Sequence, residues 1–338
     1  MAKSSQHRAV THKRLQGCVG QICVIFRPQL RARGHIHDHV SGTRTRFSIN
    51  HGMMSATFAR LAIVTAALIG AASVVAAAAQ DASAWQSNGH AATRLIAGAA
   101  VKTPEASFLR AGIEIRLDQG WKTYWRYPGD TGIPPTFDFS GSQNVKSAAV
   151  EWPAPEKFSD GASGHSIGYV GDVILPLKVT QVDATRPSAL HLKLSYAVCG
   201  TLCVPAKANL ALALTGQSAD EGLLEKATRL VPKRVALGVQ TDSGLAIRSV
   251  RLGSVGGKVR VIVDMTAPPT APVSLYVEGP TPDWALPLPE PVGPANGTDR
   301  RFEFDLDGVP PGAKAKGAAL TLTAVSGSGA IEVPAHLD

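Results

Sequence analysis

The stretch from Leu190 to Leu214 constrains the fold more tightly than any other. Leu190, Leu192, Leu194 and Tyr196 alternate with less apolar neighbours, and Leu210, Leu212 and Leu214 alternate again with small alanines between them. Period-two alternation marks a strand with one buried face. Between the two arms runs YAVCGTLCVP, in which Gly200, Thr201 and Leu202 separate Cys199 from Cys203. A turn there brings the two Cα atoms within the roughly 4.4–6.8 Å that a disulfide needs, whereas one continuous extended strand holds them too far apart. The sequence therefore predicts a hairpin with both sulfurs at its tip.

The rest of the chain has the same grain. Thirty-three Gly and 23 Pro in 338 residues favour many short strands over long helices. AGIEIRL (111–117), 145–152 and 173–179 read as strands, GWKTYWRYPGDTGIPPTF (120–137) is rich in aromatics, and WPAPEKFSDGASGHSIGY (152–169) reads as a long loop. An all-β fold follows, with an immunoglobulin-like β-sandwich first. Asp220 to Arg234 is the clearest helical stretch, with Leu223, Leu224, Ala227 and Leu230 at helical spacing, acids early and bases late. Pro232 should end it. Beyond it, LAIRSVRL, KVRVIVDM, VSLYVEG, RRFEFDL and AALTLTAV are five strand candidates, so a second β-sandwich is expected.

The net charge of +8 does not imply nucleic acid. Residues 1–52 hold nine Lys/Arg against a single acid, Asp38, whereas from Gln80 onward 24 basic residues face 25 acidic ones. The body is nearly neutral and carries no electrostatic footprint for DNA or RNA. Residues 54–79 combine Arg60, an apolar run from Leu61 to Ile69 and the small-residue end Ala77-Ala78-Ala79. This is the pattern of a secretory signal, with a mature start near Gln80; the alternative is retention as an N-terminal membrane anchor. A signal of this kind implies a chain start at Met53 or Met54, with 1–52 untranslated or disordered. Accordingly no metal site is assigned to His35, His37, Asp38 and His39, and no thiol pair to Cys18 and Cys23. Asn296-Gly297-Thr298 fits a glycosylation acceptor but reads as a turn.

Export implies an oxidising compartment, where Cys199 and Cys203 would form a disulfide, reactive or structural. A loop this short closes little chain entropy, so its value as a staple is modest. Two reduced thiols could also hold a soft ion such as Cu(I).

The segments GWKTYWRYPGDTGIPPTF, WPAPEKFSDGASGHSIGYVGDVILPLKV and LSYAVCGTLCVPAKANLAL resemble the N-terminal periplasmic domain of DsbD, most of all its ScsB-like branch. The resemblance covers about 90–215 and extends more weakly to the end. It implies an immunoglobulin-like sandwich carrying a redox cysteine pair, supplied with electrons from a membrane domain, that reduces periplasmic thioredoxin-fold partners as a protein-disulfide reductase. By position, Cys203 takes the partner-bonding role and Cys199 the resolving one. Tyr124 lies where the family has an aromatic near the active site, and Asp160 to Tyr169 matches the loop that covers the cysteines. His165, in that loop, is a candidate for lowering a thiol pKa. No cofactor and no bound metal are implied.

The sequence departs from DsbD in three respects. Three residues rather than five separate the cysteines, as in the ScsB-like branch. Gly161, Ala162 and Ser163 stand where DsbD has a bulky aromatic cap, so the disulfide is expected to be accessible and readily reduced. Nothing after the module reads as a multi-span segment, so the resemblance implies a separate membrane electron donor. The copper-tolerance setting of the ScsB-like branch keeps the Cu(I) alternative open, as does an inert structural or docking module. The expected organisation is thus 1–52 ahead of the start, a signal over 53–79, the redox domain at 90–215, a helical connector at 216–236 and the second sandwich at 237–338.

Overall fold

In a computed structural model, residues 80–160, 164–295 and 297–338 are described. The expected leader, the histidines and cysteines within it, the Gly161–Ser163 segment and Asn296 lie outside them.

In chain order the first half forms β1 (Gln86–Asn88), β2 (Ala91–Lys102), β3 (Ser107–Leu117), β4 (Lys122–Gly129), β5 (Thr136–Asp138), β6 (Val145–Val150), β7 (Glu156–Ser159), β8 (His165–Val170), β9 (Val173–Gln181), β10 (Ser188–Cys199) and β11 (Cys203–Leu214). They build two antiparallel sheets, in the orders β1-β2-β3-β9-β6 and β11-β10-β4-β8-β7, with β5 added on β10. The core lies between the sheets. Leu95, Ile113 and Leu175 come from one side and Leu190, Leu192, Leu194, Leu210 and Leu212 from the other, all 5 % exposed or less. The alternation that predicted the β10–β11 hairpin is thus the burial pattern itself, in register from Ser188↔Leu214 to Cys199↔Cys203.

The stretch read as a long loop, 152–169, contains the β7–β8 hairpin, whose second strand pairs with β4. Its strands are short and carry Gly and Ser rather than the β-branched run that signals a strand. Gly168 shows why: a Cβ there would lie 2.0 Å from the Thr123 carbonyl oxygen, so only glycine lets β8 approach β4 this closely.

The free edge of β11 is blunted. The Asn88 side chain donates to the Lys207 carbonyl, Gln86 Oε1 accepts from Asn209 N–H at 2.7 Å, and Pro205 has no donor to offer. An edge so treated resists pairing with another chain.

The helix α1 spans Glu221–Arg229, shorter than the stretch expected from sequence. It lies on the first sandwich, with Leu224 and Ala227 buried and Leu223 and Leu230 exposed. Glu221 accepts from Ala99 N–H at 2.6 Å and pairs with Arg110.

The second half follows as β12 (Lys233–Arg234), β13 (Ala246–Val255), β14 (Lys258–Thr266), β15 (Val273–Glu278), β16 (Glu290–Pro291), β17 (Asp299–Asp305), β18 (Ala319–Ser326) and β19 (Gly329–His336). Two four-stranded sheets, β12-β19-β18-β15 and β13-β14-β17-β16, enclose a second core around Val261, Val263, Phe302, Leu322 and Val333. All five strands expected here are present; β12, β16 and β19 add to them.

The two interiors meet. Tyr276 and Leu288 of the second half pack within the first core, Tyr276 against Trp125 with ring centroids 5.9 Å apart. Arg126 clamps Glu278 through two nitrogens, at 2.7–3.1 Å, and Glu332 at 2.6 Å. The Tyr127 hydroxyl donates to the Leu286 carbonyl at 2.5 Å.

Candidate active site

Cys199 and Cys203 form a disulfide across the tip of the β10–β11 hairpin, with Cα atoms 4.1 Å apart. The turn is closed by a hydrogen bond from Gly200 N–H to the Leu202 carbonyl at 3.1 Å. Gly200 also fits the tip onto Trp121, whose ring lies 3.0 Å from where a Cβ would be. Trp121 also stacks on His90 with ring centroids 3.7 Å apart, and His90 Nδ1 lies 2.9 Å from Asp118 Oδ2. The hairpin tip therefore rests on a built surface.

The two sulfurs are not equivalent. Cys199 is 1 % exposed and packs with Tyr124 and Ala197, whereas Cys203 is exposed. The Tyr124 hydroxyl reaches both, 3.0 Å from Cys199 Sγ and 3.3 Å from Cys203 Sγ. Burial and the nearby Asp160 charge raise the pKa of Tyr124, so at neutral pH it keeps its proton and can donate.

Register explains who shares this face. Cys199 pairs with both Cys203 and Lys122, and Lys122 with Val170, so these four form one row across β11, β10, β4 and β8. Directly opposed residues point to the same face of a sheet. Tyr124, two residues on from Lys122, belongs to the same face. The intervening Thr123 faces inward and its hydroxyl donates to the Ala197 carbonyl at 2.9 Å.

Asp160 is drawn into this group. Its carboxylate accepts from Lys122 Nζ at 2.5 Å and from Thr131 Oγ1 at 2.8 Å. Burial opposes its charge, but hydrogen bonds, that from Lys122 first among them, and the Lys122 charge outweigh that and hold the carboxyl below the usual range. Lys122 Nζ also sits 4.7 Å from the centre of the Phe158 ring.

Two sequence candidates lie elsewhere. Tyr169 pairs with Thr123, so it points into the core, where it is 7 % exposed and donates to the Pro153 carbonyl at 2.9 Å. Burial raises its pKa well above the usual value. Its expected place beside the cysteines is corrected by this parity: odd and even positions of β8 face opposite ways. His165 opens β8, and its backbone N–H donates to Asp130 Oδ2 at 3.1 Å. Its imidazole makes no hydrogen bond or ion pair with another described residue, so nothing joins it to a sulfur. Among the described residues no group of three or more His, Cys, Asp or Glu is placed to hold a metal ion.

Lys122, Thr131 and Phe158 were not singled out from sequence. The i, i+2 spacing of Lys122 and Tyr124 was visible, but the pairing of β4 with β10 that gives it meaning was not. Also new is a groove of about 250 Å³ lined by Ile133, Pro134, Tyr196, Val204, Pro205 and Cys203. Ile133, Leu202 and Val204 are 58 %, 75 % and 40 % exposed, apolar surface close to Cys203.

Comparison with known proteins agrees with this geometry. Residues 95–215 match the family model described as thiol:disulfide interchange protein DsbD, N-terminal. A search of curated proteins finds no match. Among solved structures, the N-terminal periplasmic domain of ScsB from Proteus mirabilis is similar, with a TM-score of 0.59 and 22 % identity over 77 % of this chain and 99 % of that one. A match of that extent runs past residue 215. The chain contains a domain of the DsbD N-terminal type with the immunoglobulin-like sandwich expected from its sequence. Among the described residues no helix is long and apolar enough to cross a membrane.

Proposed function

We propose that this chain is a periplasmic thiol–disulfide interchange module that passes electrons through Cys199 and Cys203 to thioredoxin-fold proteins. The observation that carries the reading is the inequality of the two sulfurs: Cys203 stands exposed in an apolar groove, while Cys199 is buried under the Tyr124 hydroxyl. An inert staple has no use for that asymmetry.

The chemistry balances as two exchanges. In the reduced protein the Cys203 thiolate attacks a sulfur of the partner's disulfide. That bond breaks, a mixed disulfide forms, and the partner's second sulfur departs with the electron pair. Cys199, as thiolate, then attacks Cys203 Sγ, closing the bond seen here and releasing the partner as a dithiol. Two electrons have moved from the cysteine pair to the partner. In the reverse sense an external thiolate attacks Cys203, the sulfur within reach, and Cys199 departs as a thiolate that Tyr124 is placed to receive. The pair would be recharged by a separate membrane-embedded donor.

Cys199→Ser leaves Cys203 able to attack but removes the resolving thiol. Mixed disulfides with periplasmic thioredoxin-fold proteins are expected to accumulate on non-reducing gels of Cys199→Ser extracts, and much less from Cys203→Ser. The wild-type disulfide is expected to titrate near about −200 mV, against below about −300 mV for a structural bond. If neither variant traps a partner and the native bond resists reduced thioredoxin, the chain carries a staple and the proposal fails. Trapping by Cys203→Ser alone would keep the function and exchange the two roles.

A further inference from the structure

Lys122 stands in the same cross-strand row as the disulfide, directly opposite Cys199. Its side chain is 16 % exposed and that of its partner Asp160 19 %, so solvent screens their charges only partly. Asp160 stays ionised because hydrogen bonds, that from Lys122 foremost, and the Lys122 charge hold it so, against the cost of its burial. Its field extends to the Tyr124 hydroxyl, whose proton it helps to retain, and that hydroxyl touches both sulfurs. A lone carboxylate in this position would oppose a second negative charge on Cys199. The neighbouring ammonium cancels it.

We propose that Lys122 sets the charge balance of the disulfide: paired with Asp160 in the oxidised protein, it offsets that carboxylate and favours the thiolate that forms on Cys199 when the bond opens. The inference rests on the interchange reading above and deepens it by naming a positioning residue for the departing sulfur. The balance is that of the exchange itself. An external thiolate bonds to Cys203 Sγ, the S–S bond breaks, and its electron pair resides on Cys199 Sγ beside the Tyr124 O–H and in the field of Lys122. Other charged groups near this face are Glu156, opposite Gly168 on β7, Lys207 farther along β11, and Asp130 with His165 at the mouth of β8. None of them makes an ion pair with Lys122 or Asp160.

The ion pair supplies its own control. A merely structural bridge is lost equally from either side, so Lys122→Met and Asp160→Asn would shift any property in the same direction. A charge-setting role gives opposite signs. In full-length protein, reduction of the disulfide by dithiothreitol at neutral pH is expected to slow about tenfold in Lys122→Met and to quicken in Asp160→Asn, with Lys122→Arg close to wild type. In a Cys203→Ser background, the Cys199 pKa followed by thiolate absorbance is expected to rise by about one unit with Lys122→Met and to fall with Asp160→Asn. Shifts of the same sign, or none, in folded variants overturn the proposal. Because the probe is a small dithiol, this result is independent of whether any protein partner is trapped. A lack of trapped partner would count against the interchange reading alone.

Discussion

The outer face of β14 and β17 carries Arg260, Asp264, Arg301, Glu303 and Asp305, which pair with one another from strand to strand: Arg260 with Asp305 and Glu303, Arg301 with Asp264. The outer face of β4 and β10 is finished differently. It has Lys122 with Asp160, a tyrosine hydroxyl on two sulfurs, and exposed Val170, with exposed Leu202 at the adjoining hairpin turn. Both faces belong to antiparallel sheets over apolar cores of similar make. The ladder satisfies its charges internally and leaves nothing for a visitor to complete. The cysteine face leaves apolar surface and one accessible sulfur open. Chemistry here is a property of incomplete pairing on a face, not of the sandwich beneath it.

The comparison is weakest where the interiors join, and there the largest effect is expected. Tyr276→Ala removes from the first core a ring supplied by the second half and leaves Trp125 without its neighbour. It should cost about 3–5 kcal/mol and lower a single unfolding transition seen by both far-ultraviolet circular dichroism and tryptophan fluorescence. Two separable transitions, with only the later-chain one moved, would show that the sandwiches stand apart and that their faces can be compared as independent domains.

A smaller effect is expected in alkali. Burial, with the charges of Asp130 and Glu278, pushes Tyr127 up to about 12. Burial also pushes Tyr276 to about 12, with Ser274 opposing and Glu156 assisting. Each folded value lies above the unfolded one near 10. The stability they confer is therefore whole below about pH 10 and is lost as pH rises from there through 12. Urea midpoints between pH 8 and 12 should fall along that course. Tyr127→Phe should give up about 1 kcal/mol at neutral pH with its bond to Leu286, and it should flatten the alkaline slope. An unchanged slope would remove Tyr127 from the account of the junction.

The smallest effect sharpens the contrast. Arg301→Ala breaks the ladder at an exposed position, where ion pairs contribute little. Its melting temperature and its rate of reduction by dithiothreitol should both match wild type. A slowed reduction would mean that the two faces communicate.

The β10–β11 hairpin was legible because its two arms obey one rule, burial at every second residue from Leu190 to Tyr196 and again from Ala206 to Leu214. Tyr124 was legible only through resemblance, since its own strand begins with the tryptophan-rich stretch whose alternation is masked by aromatics on both faces. β8 was not legible: His165, Ser166 and Gly168 read as loop, and Gly168 is there for backbone clearance rather than strand propensity. The helix gave its existence but not its surroundings. Leu223 and Leu230 share the helical spacing of Leu224 and Ala227, yet only the latter two face the sheet. Lys122 and Asp160 lie 38 positions apart, and no local pattern joins them.

One strand, β4, meets several demands in six consecutive residues: Lys122 and Tyr124 beside the sulfurs, Thr123 and Trp125 inward, Arg126 and Tyr127 toward the second half. Inheritance can vary these letters one at a time, but it cannot change their number. A single inserted or deleted codon between Lys122 and Tyr127 would exchange inside for outside along the strand and misdirect the chemistry, the packing and the junction together. Length can drift instead beyond Gly129, in the turn that carries Ile133, where an altered reach would retune which visitors fit without disturbing the sulfurs themselves.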